Sequence, residues 1–413
     1  MTYTSETPFI LEGNRSFLAK KLFQSLKHDT WPFKLNDFPE GTVLVGGALR
    51  DGLLSNDHST SDLDFVVPKN AIAICNNLEK KYGGTAVVLD LQRDIARFVF
   101  DHWTIDIASQ VGKDLNEDLL RRDFTINAIA LKFIPSPILI DPSGGLNDLK
   151  SRKLVAISEQ NLIDDPLRMI RAFRLMSELN LELEGRTESF IRDNAALLKR
   201  VASERIKVEI GRLIKGHWAD EVIPLLRKIN LLVPWERNFN KDKYDSLSLK
   251  NVSSFNLNEL KIALPLVRLT SVLSEEGLVQ LGFGRKIIRN CNSLRNWQKR
   301  NDGCGYKTLD EVDRFSLHLE LETHLPALIV MLSDEDQKIW LERWRDPLDP
   351  LFHPSSPLNG QTLKTILEAP EGPWIGELLY FLSKEKAFGR LQNGEEAVEL
   401  ARYWWQHNQP FCD

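Results

Sequence analysis

Cysteine is scarce in this 413-residue chain: Cys75, Cys291, Cys304 and Cys412 are widely scattered, with no CxxC pair. That spacing argues against a disulfide framework and against a zinc site, and it fits a reducing cytoplasm. Long apolar runs are missing too, so no segment reaches membrane-spanning length. The start, Met1-Thr2-Tyr3-Thr4-Ser5-Glu6, lacks the basic and apolar regions of a secretory signal. There is no surplus of positive charge. The formal net charge is −5, so an RNA partner would have to be held by local basic patches. Neither GxGxxG nor GxxxxGK followed by Ser or Thr occurs, which removes support for Rossmann and P-loop readings. Internal repeats and low-complexity segments are also lacking. What is there is ordinary globular composition, 42% hydrophobic and 27% charged, in a chain long enough for more than one domain.

The chain is organised around Val43–Val67, VLVGGALRDGLLSNDHSTSDLDFVV. Val43-Leu44-Val45 has the branching of a buried strand. Gly46-Gly47 breaks it, Ala48–Leu54 has helix-forming character, and a polar loop leads to Asp62-Leu63-Asp64 and a second apolar run. In a strand, residues two apart share a face, so Asp62 and Asp64 present paired carboxylates. Such a pair repels itself unless a proton or cation sits between them. Mg²⁺ meets that need, because it is a hard ion held by one or two carboxylates plus phosphate oxygens and water. The glycines let a phosphate approach backbone N–H groups at a helix N-terminus, and Arg50 stands one turn on to meet its charge. Each piece has a plainer alternative: a solvated strand end and a tight turn.

Before this stretch, a helix is expected around Arg15–Leu26. After it, the pattern predicts a helix over Lys69–Tyr82 and strands at Ala86–Leu89, Arg97–Phe100 and Thr104–Ala108. This alternation suggests a mixed α/β sheet. Asp106, in the third of those strands, is a candidate third carboxylate facing Asp62 and Asp64, or else an edge-facing residue. Arg121-Arg122-Asp123 then precedes an expected apolar helix, Ile126–Phe133. The guanidinium groups can grip triphosphate oxygens, and Asp123 can accept from a ribose hydroxyl; a salt-bridged helix start is the alternative. Asp141-Pro142-Ser143-Gly144-Gly145-Leu146 reads as a structural turn.

From Leu154 the chain turns helical. In Asp164–Arg174, the residues Met169, Ile170 and Phe173, with Met176 beyond, make an apolar face, while Asp165, Arg168, Arg171 and Arg174 step by three. Neighbours in that series touch, but the series drifts around the helix. Asp165 and Arg168 can act as one unit: carboxylate acceptor beside guanidinium donor. That pair complements the pairing edges of cytosine and adenine and opposes those of uracil and guanine. A buried mismatch of this kind costs about 1–3 kcal/mol per unpaired group. The alternative is Asp165 as an N-cap with Pro166 at the first helical position.

Taken together and in order, VGGALRD…DLD, RRDFTINA, DDPLR and Ser203–Glu209 (SERIKVE) resemble the tRNA CCA-adding nucleotidyltransferase and poly(A) polymerase family of bacterial and eukaryotic type. The match covers residues 41–215, with Asp164 where the family has Glu. The resemblance implies an α+β architecture: a polymerase-β-type nucleotidyltransferase head over residues 1–150, then an all-helical neck (151–215), body (216–335) and tail (336–413). It implies Mg²⁺ on Asp62 and Asp64. It implies phosphate and ribose contacts from Gly46, Gly47, Arg50, Arg122 and Asp123, and base recognition by Asp165 and Arg168 with Arg171 and Arg174 nearby. The implied partners are tRNA, CTP and ATP, and the implied place is the cytoplasm; no membrane or protein partner is indicated. In such enzymes the metal lowers the pKa of the tRNA 3′-hydroxyl, which attacks the α-phosphorus and releases pyrophosphate.

In the C-terminal half, Asn359-Gly360 followed by Gly372-Pro373-Trp374-Ile375-Gly376 resembles the family's tail. Arg285, Lys286, Arg289, Arg295, Lys299 and Arg300 cluster on an expected helix that can hold an RNA backbone. Trp340, Trp344, Trp404 and Trp405 read as core. Only fifteen positions separate Asp106 from Arg121, and Ser109–Leu120 contains one Lys and no Arg. Relatives that add all of CCA usually carry a longer basic loop there, so the short segment resembles the subset that adds only the two cytidines. Poly(A) polymerase activity on general RNA, an A-only adding enzyme, and a non-catalytic RNA-binding role remain as alternatives.

Overall fold

The computed structural model describes residues 14–54, 61–235, 252–300, 306 and 308–408. The polar loop expected before Asp62, Cys304 and Cys412 lie outside them. The chain divides into two compact units. One holds the described residues up to Glu209 together with Lys228–Leu231, and the other holds Ile210–Arg227 and those from Leu232 on.

The first unit opens with α1 (Arg15–Ser25), capped by Asn14, whose side chain accepts from Phe17 N–H at 3.0 Å. Next come β1 (Val43–Val45), α2 (Gly47–Leu53), β2 (Asp62–Val67), α3 (Ala71–Tyr82), β3 (Thr85–Asp90), β4 (Ile95–Phe100) and β5 (Trp103–Ser109). They are followed by α4 (Leu115–Leu120), β6 (Ala130–Lys132), β7 (Ile138–Ile140), α5 (Gly145–Lys150) and β8 (Lys153–Leu154). Then follow α6 (Glu159–Asp164), α7 (Leu167–Leu179), β9 (Glu182–Leu183), α8 (Gly185–Asn194) and α9 (Ser203–Leu213), the last entering the second unit beyond Glu209.

Seven strands form one sheet in the order β3-β4-β5-β2-β1-β6-β7. Only β2 and β5 run parallel; their connection carries α3 across one face and the β3–β4 hairpin at the sheet edge, as a parallel pair requires. β1 is central and buried at every residue, which is why its three positions are all apolar.

The helix expected over Ile126–Phe133 is not there. A single 3₁₀ turn (Thr125–Asn127) leads into β6, whose Leu131 and Ala130 pair with Leu44 and Val45. Ala128, Ile129, Ala130 and Leu131 are all buried. A short run buried on every side has no periodicity to tell helix from strand, and the vacant edge of β1 decided the matter. The Asp141–Leu146 turn is structural as expected, with the Asp141 carboxylate accepting from Gly145 and Leu146 N–H at 2.8 and 3.1 Å. At Gly145 a Cβ would lie 2.1 Å from the Thr125 carbonyl oxygen, so no other residue fits.

Residues 151–209 pack as part of the first unit. Thr125 N–H donates to Val155 O at 3.0 Å, Ile157 N–H to Asp123 O at 3.2 Å, and β8 pairs with β9. Short helices and two-residue strands cannot bury a core alone, so they fold onto the sheet domain.

The second unit is helical: α10 (Ala219–Ile229, its last two residues in the first unit), α11 (Leu257–Val272), α12 (Glu275–Gln280), α13 (Arg285–Arg300), α14 (Glu311–Leu321), α15 (Pro326–Ile329), α16 (Asp334–Arg345), α17 (Gly360–Leu367), α18 (Trp374–Ala387) and α19 (Gly394–Asn408). The last three share a core of Leu363, Trp374, Leu378, Leu382, Ala397 and Ala401. Trp405 packs on Trp374 with ring centroids 4.7 Å apart, and Trp340 meets Phe352 edge-on, so those tryptophans serve the interior. Cys75 and Cys291 are buried free thiols. Among the described residues no helix is long and apolar enough to cross a membrane.

Candidate active site

Strand β2 carries Asp62 and Asp64 on one face, and its parallel partner β5 sets Asp106 opposite Asp64 in register. The three carboxylates therefore share a face, as the strand pattern implied. Gly46, at φ 78°, ends β1 directly beside them. A Cβ there would stand 2.5 Å from Asp64 Oδ2, so only glycine leaves room for the carboxylate. The backbone amide of the next residue, Gly47, favours the ionised form of Asp64. Burial pushes the Asp64 carboxyl up from its ordinary range, and the nearby charges of Asp106 and Asp62 push the same way, against Arg122 and the Gly47 amide. Asp106 itself is gripped by Arg97 from β4, Nε to Oδ1 at 2.7 Å and Nη2 to Oδ2 at 2.9 Å.

Among the described residues no group of three Asp, Glu, His or Cys side chains converges to hold a metal unaided. Arg97 engages both oxygens of Asp106. Asp62 and Asp64 remain as two hard oxygen donors in a cradle that a Cβ would fill. That donor set fits a hard divalent ion completed by phosphate oxygens and water.

The Arg122 charge acts on the Asp64 carboxylate, favouring its ionised form. Its Nη2 lies 3.4 Å from Asp118, and its buried Nε has no hydrogen-bond partner. A buried donor left open is costly unless a ligand accepts from it, which suits the expected phosphate contact.

Four other residues expected at the ligand are paired with protein side chains in this structure. Arg50 is buried, donating from Nε to Asp51 and from Nη1 to Asn127 Oδ1, both at 2.9 Å. Asp123, expected at a ribose hydroxyl, is only 6% exposed. Its Oδ1 accepts from Phe124 N–H at 2.8 Å and Asn127 Nδ2 at 3.0 Å, and its Oδ2 from Arg171 Nη1 at 3.2 Å. Burial alone would raise its carboxyl; Arg171, Asn127 and the Phe124 amide hold it below the usual carboxylate range. Arg171 also donates to Glu209 Oε1 at 3.2 Å, and buried Arg174 donates to Glu209 Oε2 at 2.6 Å and Glu178 at 2.8 Å. The result is one continuous relay, Asp51–Arg50–Asn127–Asp123–Arg171–Glu209–Arg174–Glu178. It ties α2, the segment after α4, α7 and α9 together. The sequence reading assigned no role to Asn127 or Glu209, although both lie inside the quoted motifs; the pairing is visible only once the four segments meet.

That leaves Asp165 and Arg168. Asp165 ends α6, and Pro166 stands at the cap position of α7 without a side-chain capping bond, so the Asp165 carboxylate is not used as an N-cap. Among the described residues, its carboxylate reaches Arg205 Nη2, at 3.4 Å. Arg168 Nη1 donates to the Arg121 and Asn161 carbonyl oxygens at 2.9 and 3.0 Å, while its Nε and Nη2 have no partner among the described residues. Burial lowers the Arg168 pKa, opposed by Asp123 and Asp165. Asp165 is an extended residue just before α7 and not a helical neighbour of Arg168, which carries the open donors.

In the second unit, Arg285, Lys286 and Arg289 are exposed on α13. Arg295, expected in the same cluster, is buried; it donates to the Thr270 and Leu273 carbonyls at the end of α11. Arg300 is paired with Asp313. The basic patch is therefore narrower than the charge count suggested.

Residues 42–155 match the poly A polymerase head domain, and residues 170–236 match a probable RNA and SrmB-binding site of polymerase A. The chain is 30% identical over 399 residues to a CC-adding tRNA nucleotidyltransferase of Synechocystis, spanning 90% of this chain and 95% of that one. It is 39% identical over 203 residues to an A-adding tRNA nucleotidyltransferase of Deinococcus radiodurans, about half of each chain. In fold it resembles the Bacillus stearothermophilus CCA-adding enzyme in complex with CTP, with TM-score 0.68 and 21% identity over 97% of this chain and all of the other.

Proposed function

The chain belongs to the tRNA nucleotidyltransferase family, and from that membership we propose how it works as an enzyme that adds C, A or both from CTP and ATP to the tRNA 3′ end without a template. The observation that carries the reading is the Asp62/Asp64 pair beside Gly46-Gly47, in the same unit as an Arg168 with open donors. The tRNA 3′-hydroxyl attacks the α-phosphorus of the nucleotide, and pyrophosphate leaves. Mg²⁺, held by Asp62 and Asp64, would supply the Lewis acidity that activates the hydroxyl and neutralises the triphosphate. The chain's own groups do the rest. The Gly47 amide favours ionised Asp64, Arg97 fixes Asp106 beside it, and the open Nε–H of Arg122 donates to a phosphate oxygen. Asp165 and Arg168 meet the amino donor and ring-nitrogen acceptor that cytosine and adenine share. The scattered cysteines, two of them buried thiols, are compatible with work in the cytoplasm.

The product we propose is the CC end alone. The segment between β5 and α4 is a short, pinned strap: Val111 N–H donates to Asp118 and Lys113 N–H to Glu117, both at 2.9 Å, and Asp114 caps α4. A strap held at three points has little freedom to reshape the base site between C and A. The name of the Synechocystis relative supports the same reading. With a tRNA lacking its 3′ end and all four nucleotides present, the product is expected to stop two residues longer; a three-residue extension ending in A would refute the stall. Long A tails on unrelated RNA would favour the poly(A) polymerase reading instead.

Arg285, Lys286 and Arg289 supply backbone charge for the RNA. Replacing all three by Ala is expected to lower tRNA affinity and to flatten the slope of log K against log salt by about 2–3, at ~0.7–0.9 per lost phosphate contact. Filter binding over a salt series measures this, and an unchanged slope would remove the patch from the interface.

A further inference from the structure

We infer that Asn161 is a positioning residue for nucleotide selection, registering the end of α4 against the base-reading Arg168. The inference rests on the proposed base-reading role of Arg168. A helix leaves its last carbonyls without partners. Beyond α4, three consecutive carbonyls are taken by the segment that follows in the neck. Asn161 Nδ2 donates to Leu120 O at 2.9 Å and to Arg122 O at 2.7 Å, and Arg168 Nη1 donates to Arg121 O, between them, at 2.9 Å. The backbone oxygen of Asn161 also accepts from Arg168 Nη1 at 3.0 Å. Asn161 is itself buried and fixed at the start of α6, where its N–H donates to the capping Ser158 hydroxyl at 3.1 Å.

The arrangement has a geometric consequence. Arg168 could swing through several rotamers, but its Nη1 is clamped by two carbonyls whose spacing Asn161 sets. Its Nε and Nη2 therefore face one direction. The same amide holds Arg122, whose open Nε serves phosphate. A single side chain thus sets the distance between phosphate grip and base edge. An amide suits the task because its two N–H groups can serve two carbonyls at once; aspartate would place a charge against both.

Asn161→Ala is expected to raise KM for CTP about tenfold and to reduce the preference for CTP over UTP by a similar factor, with kcat at saturating CTP changed less than about threefold. A residue needed only for folding would lower the active fraction and leave KM and the CTP/UTP ratio as they were; that outcome would overturn the inference. The double variant Asn161→Ala/Arg168→Ala supplies an independent readout. Acting through Arg168, Asn161→Ala adds nothing to the selectivity lost in Arg168→Ala alone; additive losses would also overturn it. Should Asn161→Ala not fold, Asn161→Ser keeps one donor and is expected to show an intermediate selectivity. If the wild-type protein adds no nucleotide to tRNA, the functional reading fails; if it does so and selectivity ignores position 161, only this inference fails.

Discussion

Asp64→Ala abolishes nucleotide addition, by about three orders of magnitude or more, while tRNA binding persists. The size follows from removing one of the two carboxylates proposed to hold the divalent ion; several kcal/mol of transition-state stabilisation correspond to a thousandfold or more. Asp62→Ala behaves alike. The loss does not come from unfolding, because the Asp64 carboxyl is raised above its unfolded value of 3.8, mainly by burial and then by Asp106. A carboxyl raised on folding favours the fold when protonated. Its ionised form therefore weakens the apo fold progressively as pH rises from the unfolded value through the folded one. Asp64→Asn, which keeps an acceptor for the Gly47 amide, is expected to melt no lower than wild type at pH 7 in EDTA, and the two are expected to converge at pH 3. Single-turnover assays and thermal melts check both parts. Retained activity in Asp64→Ala would leave a non-catalytic RNA-binding protein as the better reading.

Asp123→Ala is expected to be the most destabilising single change in the first unit. It leaves the partly buried Arg171 cation and the Asn127 amide without their shared acceptor, in the middle of the relay from Arg50 to Glu178. Breaking a buried pair from one side costs about 3 kcal/mol or more, which for a unit of this size lowers Tm by roughly 6–12 °C. Activity falls as well, since Arg50 and α2 lose their tie to α7. The pH dependence has the opposite sign to that of Asp64. The Asp123 carboxyl is held below 3.8 in the fold, so its contribution is present above the unfolded value and disappears as pH falls through the folded one. Urea titrations of wild type and Asp123→Asn from pH 7 down through the acid range check this: the gap is expected to be widest at pH 7 and to narrow as the pH falls. A gap that persists unchanged at low pH would show that the carboxylate charge is not what the relay uses.

The two aspartates illustrate what was legible. Asp62 and Asp64 could be paired from spacing alone, because a strand repeats every two residues and needs no tertiary information to do so. The same reasoning at helical spacing fits Arg168, Arg171 and Arg174, which all lie on α7, but not Asp165, which is extended between α6 and α7. Asp123, Arg50 and Arg174 were read toward a ligand because a charged side chain in a recognised motif looks the same whether it faces a phosphate or another buried side chain. Arg174–Glu178 and Asp123–Asn127 are four residues apart, but the links Arg50–Asn127 and Arg174–Glu209 span 77 and 35 residues, and nothing local marks those. Arg97 escaped notice likewise: a lone arginine in an apolar strand becomes meaningful only through its register with Asp106.

The local repeat of the backbone, written in the order of apolar and charged residues, was enough to establish a mixed sheet followed by helices and a carboxylate pair at a glycine turn. Which charges meet a ligand, that Ala130–Lys132 is a strand and not a helix, and that Asn161 closes the end of α4 were decided by the tertiary structure. The reason is that hydrogen-bond satisfaction and strand pairing are properties of segments brought together, and each segment carries only half of the contact.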